Sequence, residues 1–185
     1  MIGAHLRFAR AFLRSPRVVA SVVPSSPLVE RRVVQAAEAA RSRVIVEFGG
    51  GTGGTTRALL KGLPADGRLV VIERTEEFIP GLERIGDPRL TVVHDCASSI
   101  VAQLEHLGLG GADAVVSGIP FSTLPGSLAR QIVDALYAAL VPGGRFVAYQ
   151  FTDRVVDYAR PVMGEPRTES AFWNIPPVRV FTWYK

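Results

Sequence analysis

The sequence predicts an open α/β fold: a seven-stranded, mostly parallel sheet with an antiparallel C-terminal strand and helices on both faces. Three observations lead there. Apolar, largely β-branched runs at 43–48, 68–72, 90–94, 112–116 and 145–151 alternate with helical patterns, the arrangement that builds a parallel sheet. The first run empties into Gly49-Gly50-Gly51-Thr52-Gly53-Gly54, and a helical pattern follows at once. Two further strands around 168–173 and 178–184 flank Asn174-Ile175-Pro176-Pro177, which implies an antiparallel closing pair.

Taken in order, residues 2–14 plot as an amphipathic helix. Ile2, Leu6, Phe8, Ala9, Phe12 and Leu13 share one face, with Arg7, Arg10, Arg14 and later Arg17 on another. That composition suits an interfacial membrane helix and equally a helix packed on its own domain. Ser15-Pro16 ends it, because the residue before proline resists helical geometry. Pro24-Ser25-Ser26-Pro27 reads as a turn supplying an N-cap, with Pro27 suited to the first helical position of a helix over 27–41. The first strand spans 43–48, the glycine loop 49–54 and its helix 54–62. Strand two, 68–72, ends at Glu73; a helix over 75–85 leads to strand three, 90–94, which ends at Asp95. A short helix at 97–106 precedes strand four at 112–116. Then come Ser117-Gly118-Ile119-Pro120-Phe121, a helix at 125–140, strand five at 145–151 and a short helix at 153–158. The expected organisation is a core over 43–185 and an N-terminal extension, 1–42, that contacts membrane and lids the active site.

Composition narrows the class. The chain of 185 residues suits one domain, and 48% hydrophobic with 21% charged residues describes a globular protein. Cys96 alone excludes an intrachain disulfide framework, three isolated histidines give no metal motif, and no run approaches the ~20 apolar residues of a spanning helix. Arginines scattered through the N-terminal apolar residues do not read as a signal peptide, so a cytoplasmic protein is expected. The charge is uneven: residues 1–43 hold eight arginines against Glu30 and Glu38, a net +6, leaving −2 on the rest of a chain whose total is +4. One end of the molecule is therefore suited to an anionic partner.

The glycine loop admits two readings. Gly49, Gly51 and Gly54 fit the dinucleotide pattern GxGxxG, with Glu73 about 20 residues on. Glu47, Gly49, Gly51 and Gly53 also fit ExGxGxG, which resembles the loop by which class I methyltransferases hold S-adenosylmethionine. A pyrophosphate at the helix N-terminus would be repelled by a neighbouring carboxylate, whereas an ammonium group would be attracted, so Glu47 favours the second reading. In an open sheet the ligand lies beyond the carboxyl ends of the strands, where Glu47, Glu73, Asp95 and Ser117 terminate strands one to four. Glu73, with Arg74 beside it, is placed to accept both ribose hydroxyls. Asp95 would take the adenine amine, with Cys96 and Ala97 walling the ring. Ser25 and Ser26 either close over the donor or simply cap a helix.

The Pro16-Arg17 and Val22-Val23-Pro24-Ser25-Ser26 elements, the Glu-Phe-Gly-Gly-Gly-Thr-Gly loop, Val116-Ser117-Gly118-Ile119-Pro120-Phe121 and Trp173-Asn174-Ile175-Pro176-Pro177-Val178 together resemble the bacterial soluble phospholipid N-methyltransferases. The resemblance spans nearly the whole chain. It implies a Rossmann-like fold and methylation of phosphatidylethanolamine and its mono- and dimethyl forms towards phosphatidylcholine. S-adenosylmethionine would be the donor and S-adenosylhomocysteine the product, at the inner face of the cytoplasmic membrane. Ser-Gly-Ile-Pro-Phe departs from the Asn-Pro-Pro-Tyr-type motif of nucleobase methyltransferases. The expected acceptor site uses the Ser117 hydroxyl and the carbonyls of Gly118 or Ile119 to bind the amine, with Phe121 and Tyr149 as an aromatic wall for methylated ammonium. Arg7, Arg10, Arg14, Arg17, Phe8 and Phe12 would meet anionic headgroups and lipid. Competing readings are an RNA adenine methyltransferase using the same arginines on phosphates, a small-amine methyltransferase, a donor-binding module without turnover, and a dehydrogenase.

Overall fold

A computed structural model describes residues 26–171 and 178–185. The expected helix at 2–14, with Arg7, Phe8, Arg10, Phe12 and Arg14, lies outside the described residues, as do Arg17, Ser25 and the Asn174–Pro177 turn. The first described helix, α1 (Pro27–Ala36), is capped as its sequence predicts: Ser26 Oγ accepts the Val29 N–H at 3.4 Å and Pro27 occupies the first turn. It stops earlier than expected. Glu38 takes a left-handed conformation at φ 44°, and a single 3₁₀ turn, Ala39–Arg41, follows. The break is held by side chains: Arg145 pairs with Glu38 at 2.7 Å, and Ser42 Oγ donates to the carbonyls of Ala37 and Glu38.

The chain then alternates β1 (Val44–Phe48), α2 (Gly54–Gly62), β2 (Arg68–Glu73), α3 (Ile79–Glu83), β3 (Leu90–His94), α4 (Ile100–His106), β4 (Ala112–Ser117), α5 (Gly126–Ala139), β5 (Leu140–Gln150), α6 (Arg154–Met163), β6 (Arg167–Ala171) and β7 (Val178–Tyr184). The expected helix at 75–85 divides into a 3₁₀ turn, Glu76–Phe78, and α3, because Pro80 is tolerated only in the first turn of a helix. The fifth strand begins early, at Leu140, with a register irregularity opposite Ala112–Ala114, and α6 runs on to Met163, beyond the predicted end.

Strand order is β3-β2-β1-β4-β5-β7-β6, parallel except where β7 pairs antiparallel with β5 and β6. The Rossmann-like sheet expected from the sequence is therefore present. Its alternating side chains feed two cores. Val46, Phe48, Val115 and Phe146 pack with Ile100, Ile132, Leu136 and Val155 on the face covered by α4, α5 and α6. Ile45, Val71, Val116 and Val147 pack with Val29 and Val33 of α1 and Leu59 and Leu60 of α2 on the other. The direction of winding reverses between β1 and β4, the position at which such sheets open a ligand crevice. Among the described residues no helix is long and apolar enough to cross a membrane.

Candidate active site

A cavity of about 300 Å³ opens at the carboxyl ends of β1, β2, β4 and β5. Its floor is the glycine loop. Gly49, Gly51 and Gly53 all adopt positive φ (77°, 51° and 83°), a conformation that side chains disfavour. A Cβ on Gly49 would lie 2.8 Å from Ile119 Cγ2, so the loop and the segment after β4 approach closely only because Gly49 has no side chain. A Cβ on Gly51 would meet nothing within 4 Å among the described residues beyond its chain neighbours. Arg57 secures the loop from α2, donating to the carbonyls of Thr52 and Gly53 at 3.0 Å each. Gly49, Gly50, Gly51, Thr52 and Gly54 line the cavity; Gly53, expected there, instead serves as the N-cap of α2.

Beneath the loop, Glu47 is fully buried. Thr56 Oγ1 donates to its Oε2 at 2.7 Å, and Oε1 has no partner among the described residues. Burial pushes its pKa up to about 8; the Thr56 hydrogen bond opposes the rise, and Glu73 and Glu30 add to it. Glu47 lies below the cavity rather than in its wall. Glu73 does line it. Its Oε2 accepts the Gly51 N–H at 3.0 Å and its Oε1 the Thr75 N–H at 2.8 Å, so one carboxylate holds both the loop and the end of β2.

Asp95, Cys96 and Ala97 form the next wall, with Arg74 nearby. Asp95 Oδ1 accepts the Cys96 N–H at 2.6 Å and Oδ2 accepts from Gln103 Nε2 at 2.8 Å. The backbone bond from Cys96, with help from Ser99 and Gln103, holds its carboxyl below the usual range. The carboxylate is thus charged and oriented at the cavity edge. His94 Nε2 sits 3.2 Å from the Arg74 carbonyl.

Two expected acceptor residues lie elsewhere. Ser117 is fully buried, with its Oγ unpartnered among the described residues and outside the cavity wall. Strand alternation explains this: Ser117 shares the face of Val115, which is packed into the core beneath α5. Phe121 is also fully buried, its ring 6.5 Å from Phe146 and 6.3 Å from Tyr158, so it belongs to the core and not to an aromatic wall. Gly118, Ile119, Pro120 and Tyr149 do line the cavity. Tyr149 Oη and Thr55 Oγ1 are hydrogen-bonded at 3.2 Å, and a Cβ on Gly118 would collide with that tyrosine hydroxyl. Ser26 is an N-cap and does not reach the wall.

Sequence reasoning missed Thr55, Phe151 and above all Gln150. Gln150 Nε2 donates to the Ile119 carbonyl at 2.8 Å, and its Oε1 accepts the Phe121 N–H at 3.3 Å. The available signal was a polar residue closing an apolar strand beside the switch point, the same signal that identified Glu47 and Glu73. Among the described residues no group of three His, Cys, Asp or Glu side chains is arranged to hold a metal ion.

No protein-family model matches the chain. It is 31% identical over 184 residues to an ornithine lipid N-methyltransferase of Singulisphaera acidiphila, covering 94% of this chain and 92% of that protein. It is 28% identical to a ribosomal RNA small subunit methyltransferase A of Phenylobacterium zucineum, over 80% of this chain but 60% of the relative. Among solved structures, an O-methyltransferase from Bacillus cereus in complex with S-adenosylhomocysteine superposes with a TM-score of 0.71 at 14% identity, over 97% of this chain and 91% of that one.

Proposed function

The chain belongs to the bacterial lipid N-methyltransferase family, and from that premise we propose that it methylates the amine of a membrane lipid headgroup, phosphatidylethanolamine and its mono- and dimethyl forms first among them. The observation that carries the reading is one cavity in which the glycine loop, Glu73 and Asp95 stand beside the backbone of Gly118 and Ile119 and the Tyr149 hydroxyl. The first group suits a nucleoside bearing an amino acid; the second suits an amine.

S-adenosylmethionine fits the residues present. Glu73 would hold the ribose hydroxyls through lone pairs not used by Gly51 and Thr75, and Asp95 the adenine amine, with Cys96 and Ala97 flanking the base. Glu47, beneath the loop with its Oε1 unpartnered among the described residues, becomes a counter-charge for an ammonium group when its carboxyl ionises. When bound, S-adenosylmethionine supplies a methyl group already activated by its sulfonium. The protein's remaining work is to exclude water, align the amine and let it lose a proton, since an alkylammonium with a pKa near ~10.4 is charged at neutral pH. Carbonyls of Gly118 or Ile119 accept hydrogen bonds from the amine, and Tyr149 forms the aromatic side of the site. Ser117 and Phe121 support this wall from the core.

A second reading, an ornithine lipid as acceptor, is favoured by the full-length similarity to a methyltransferase of that name. Both acceptors present a primary alkylammonium on a lipid. The basic N-terminal segment, which carries Arg7, Arg10, Arg14 and Arg17 together with Phe8 and Phe12, would bring the site to anionic lipid at the inner face of the cytoplasmic membrane. Labelled methyl transfer to vesicles containing ethanolamine, monomethyl, dimethyl or ornithine headgroups, with RNA and small amines in parallel, tests the proposal. Transfer confined to lipid amines supports it; transfer to RNA or free amines alone overturns it. Vesicle binding should fall with salt, and equal binding to neutral and anionic vesicles would remove the electrostatic part.

A further inference from the structure

The segment after β4 leaves the sheet with little ladder support. The Gly118 N–H still donates to the Phe48 carbonyl at 3.1 Å, but Pro120, two residues on, has no N–H to give. Thr123 donates from its N–H and its hydroxyl to the Pro120 carbonyl, at 3.0 and 2.9 Å, and the peptide groups on either side of Pro120 are held by a second side chain. Gln150, the last residue of β5 and 5% exposed, donates to the carbonyl on one side of Pro120 and accepts from the N–H on the other. The backbone at Gln150 is anchored separately by its pairing with Arg179 of β7. Ile119, Pro120 and Gln150 all line the cavity.

We propose that Gln150 is a positioning residue that fixes the Ile119 carbonyl as acceptor for the substrate amine, so that the site favours an N–H-bearing headgroup over its fully methylated product. The inference rests on the lipid-amine reading above. A carbonyl oxygen has two lone pairs; Gln150 engages one, and its rigid placement sets the direction of the other. A primary ammonium has three N–H groups to offer that second lone pair, whereas a quaternary ammonium has none. The same carbonyl therefore binds the unreacted amine and gives nothing to the trimethylated product. Aromatic contacts such as Tyr149 attract any ammonium and cannot make this distinction alone.

The test is calorimetric binding to protein saturated with S-adenosylhomocysteine, so it does not depend on turnover. The probes are short-chain lipids with ethanolamine or ornithine headgroups, each against its N-trimethylated form. Wild type should prefer the N–H-bearing member of a pair. Gln150→Leu removes both hydrogen bonds; Gln150→Met, unbranched and close to glutamine in length, removes them too and guards against a folding failure of the leucine variant. Neither substitution adds charge, so the affinity ratio is the readout. Both variants should lose about tenfold of that ratio, the scale of a lost charge-assisted hydrogen bond, with affinity for the trimethylated form within about twofold of wild type. A ratio unchanged in both variants, or affinities that fall together, overturns the assignment of Gln150 alone. Wild-type protein that binds neither member of either pair overturns the lipid-amine reading, and one that binds both members equally overturns this inference alone.

Discussion

Replacing Glu47 with glutamine should make the protein progressively more stable than wild type as pH rises. The carboxyl is fully buried, and its pKa of about 8 lies above the ordinary 4.5. A carboxyl raised on folding contributes its full stability below the unfolded pKa and loses it as pH climbs through the folded one. Between those values the unfolded chain has released a proton that the folded chain keeps, so unfolding becomes easier with each step in pH. From pH 5 to pH 8 the displacement corresponds to about 3 kcal/mol. The substituted amide does not titrate, and its oxygen can still accept from Thr56, which preserves the side-chain hydrogen bond that Glu47 makes among the described residues. Urea unfolding at pH 5, 6, 7 and 8 measures the effect as the stability of Glu47→Gln minus that of wild type. Other groups titrate in both proteins and cancel. The difference should grow by about 3 kcal/mol over this range; one that stays flat within about 0.5 kcal/mol would refute the assignment of a protonated carboxyl beneath the loop. The same linkage requires the wild-type affinity for S-adenosylhomocysteine to rise with pH towards 8, because an ammonium ligand favours the ionised form, and the glutamine variant to lack that rise.

Two further outcomes follow from the geometry. Gly118→Ala places a methyl group against the Tyr149 hydroxyl and should cost about 1–3 kcal/mol in urea unfolding, with Tyr149→Phe recovering part of the loss in the double variant. Glu73→Gln keeps an oxygen for the Gly51 N–H but removes the charge. It should weaken S-adenosylhomocysteine binding by about tenfold to a hundredfold in calorimetry and cost about 1–3 kcal/mol in urea unfolding, because the amide nitrogen then faces the Thr75 N–H; unchanged affinity would exclude Glu73 from the nucleoside site.

Much of the fold was legible because its signals are local. Helix α2 starts and ends as its pattern predicts, and β1 to β4 match their apolar runs to within a residue; β1, β2 and β4 lie inside the sheet, largely buried on both faces, and need no partner to be recognised, while the edge strand β3 is half-buried but keeps a β-branched run. The departures occur where side chains distant in sequence intervene. The helix α1 stops at Ala36 because Arg145, from β5, captures Glu38, and no window around residue 38 contains that arginine. The acids at the strand ends were legible for a different reason: a carboxylate closing an apolar run is out of place in a core and has to be explained by a ligand or a partner.

The sequence by itself therefore determined the strand–loop–helix, the carboxylates arranged around it and the order of the elements, all of which follow from composition and period along the chain. Tertiary structure alone decided which neighbours of those residues face the cavity. The face on which Ser117 emerges, the burial of Phe121 among Phe146 and Tyr158, the closure of Gly118 against Tyr149 and the hold of Gln150 on Ile119 depend on how β4, β5, α5 and α6 pack. Each is a contact between segments far apart in the chain, whose distance and direction are set by the twist and register of the sheet rather than by any pattern within one segment.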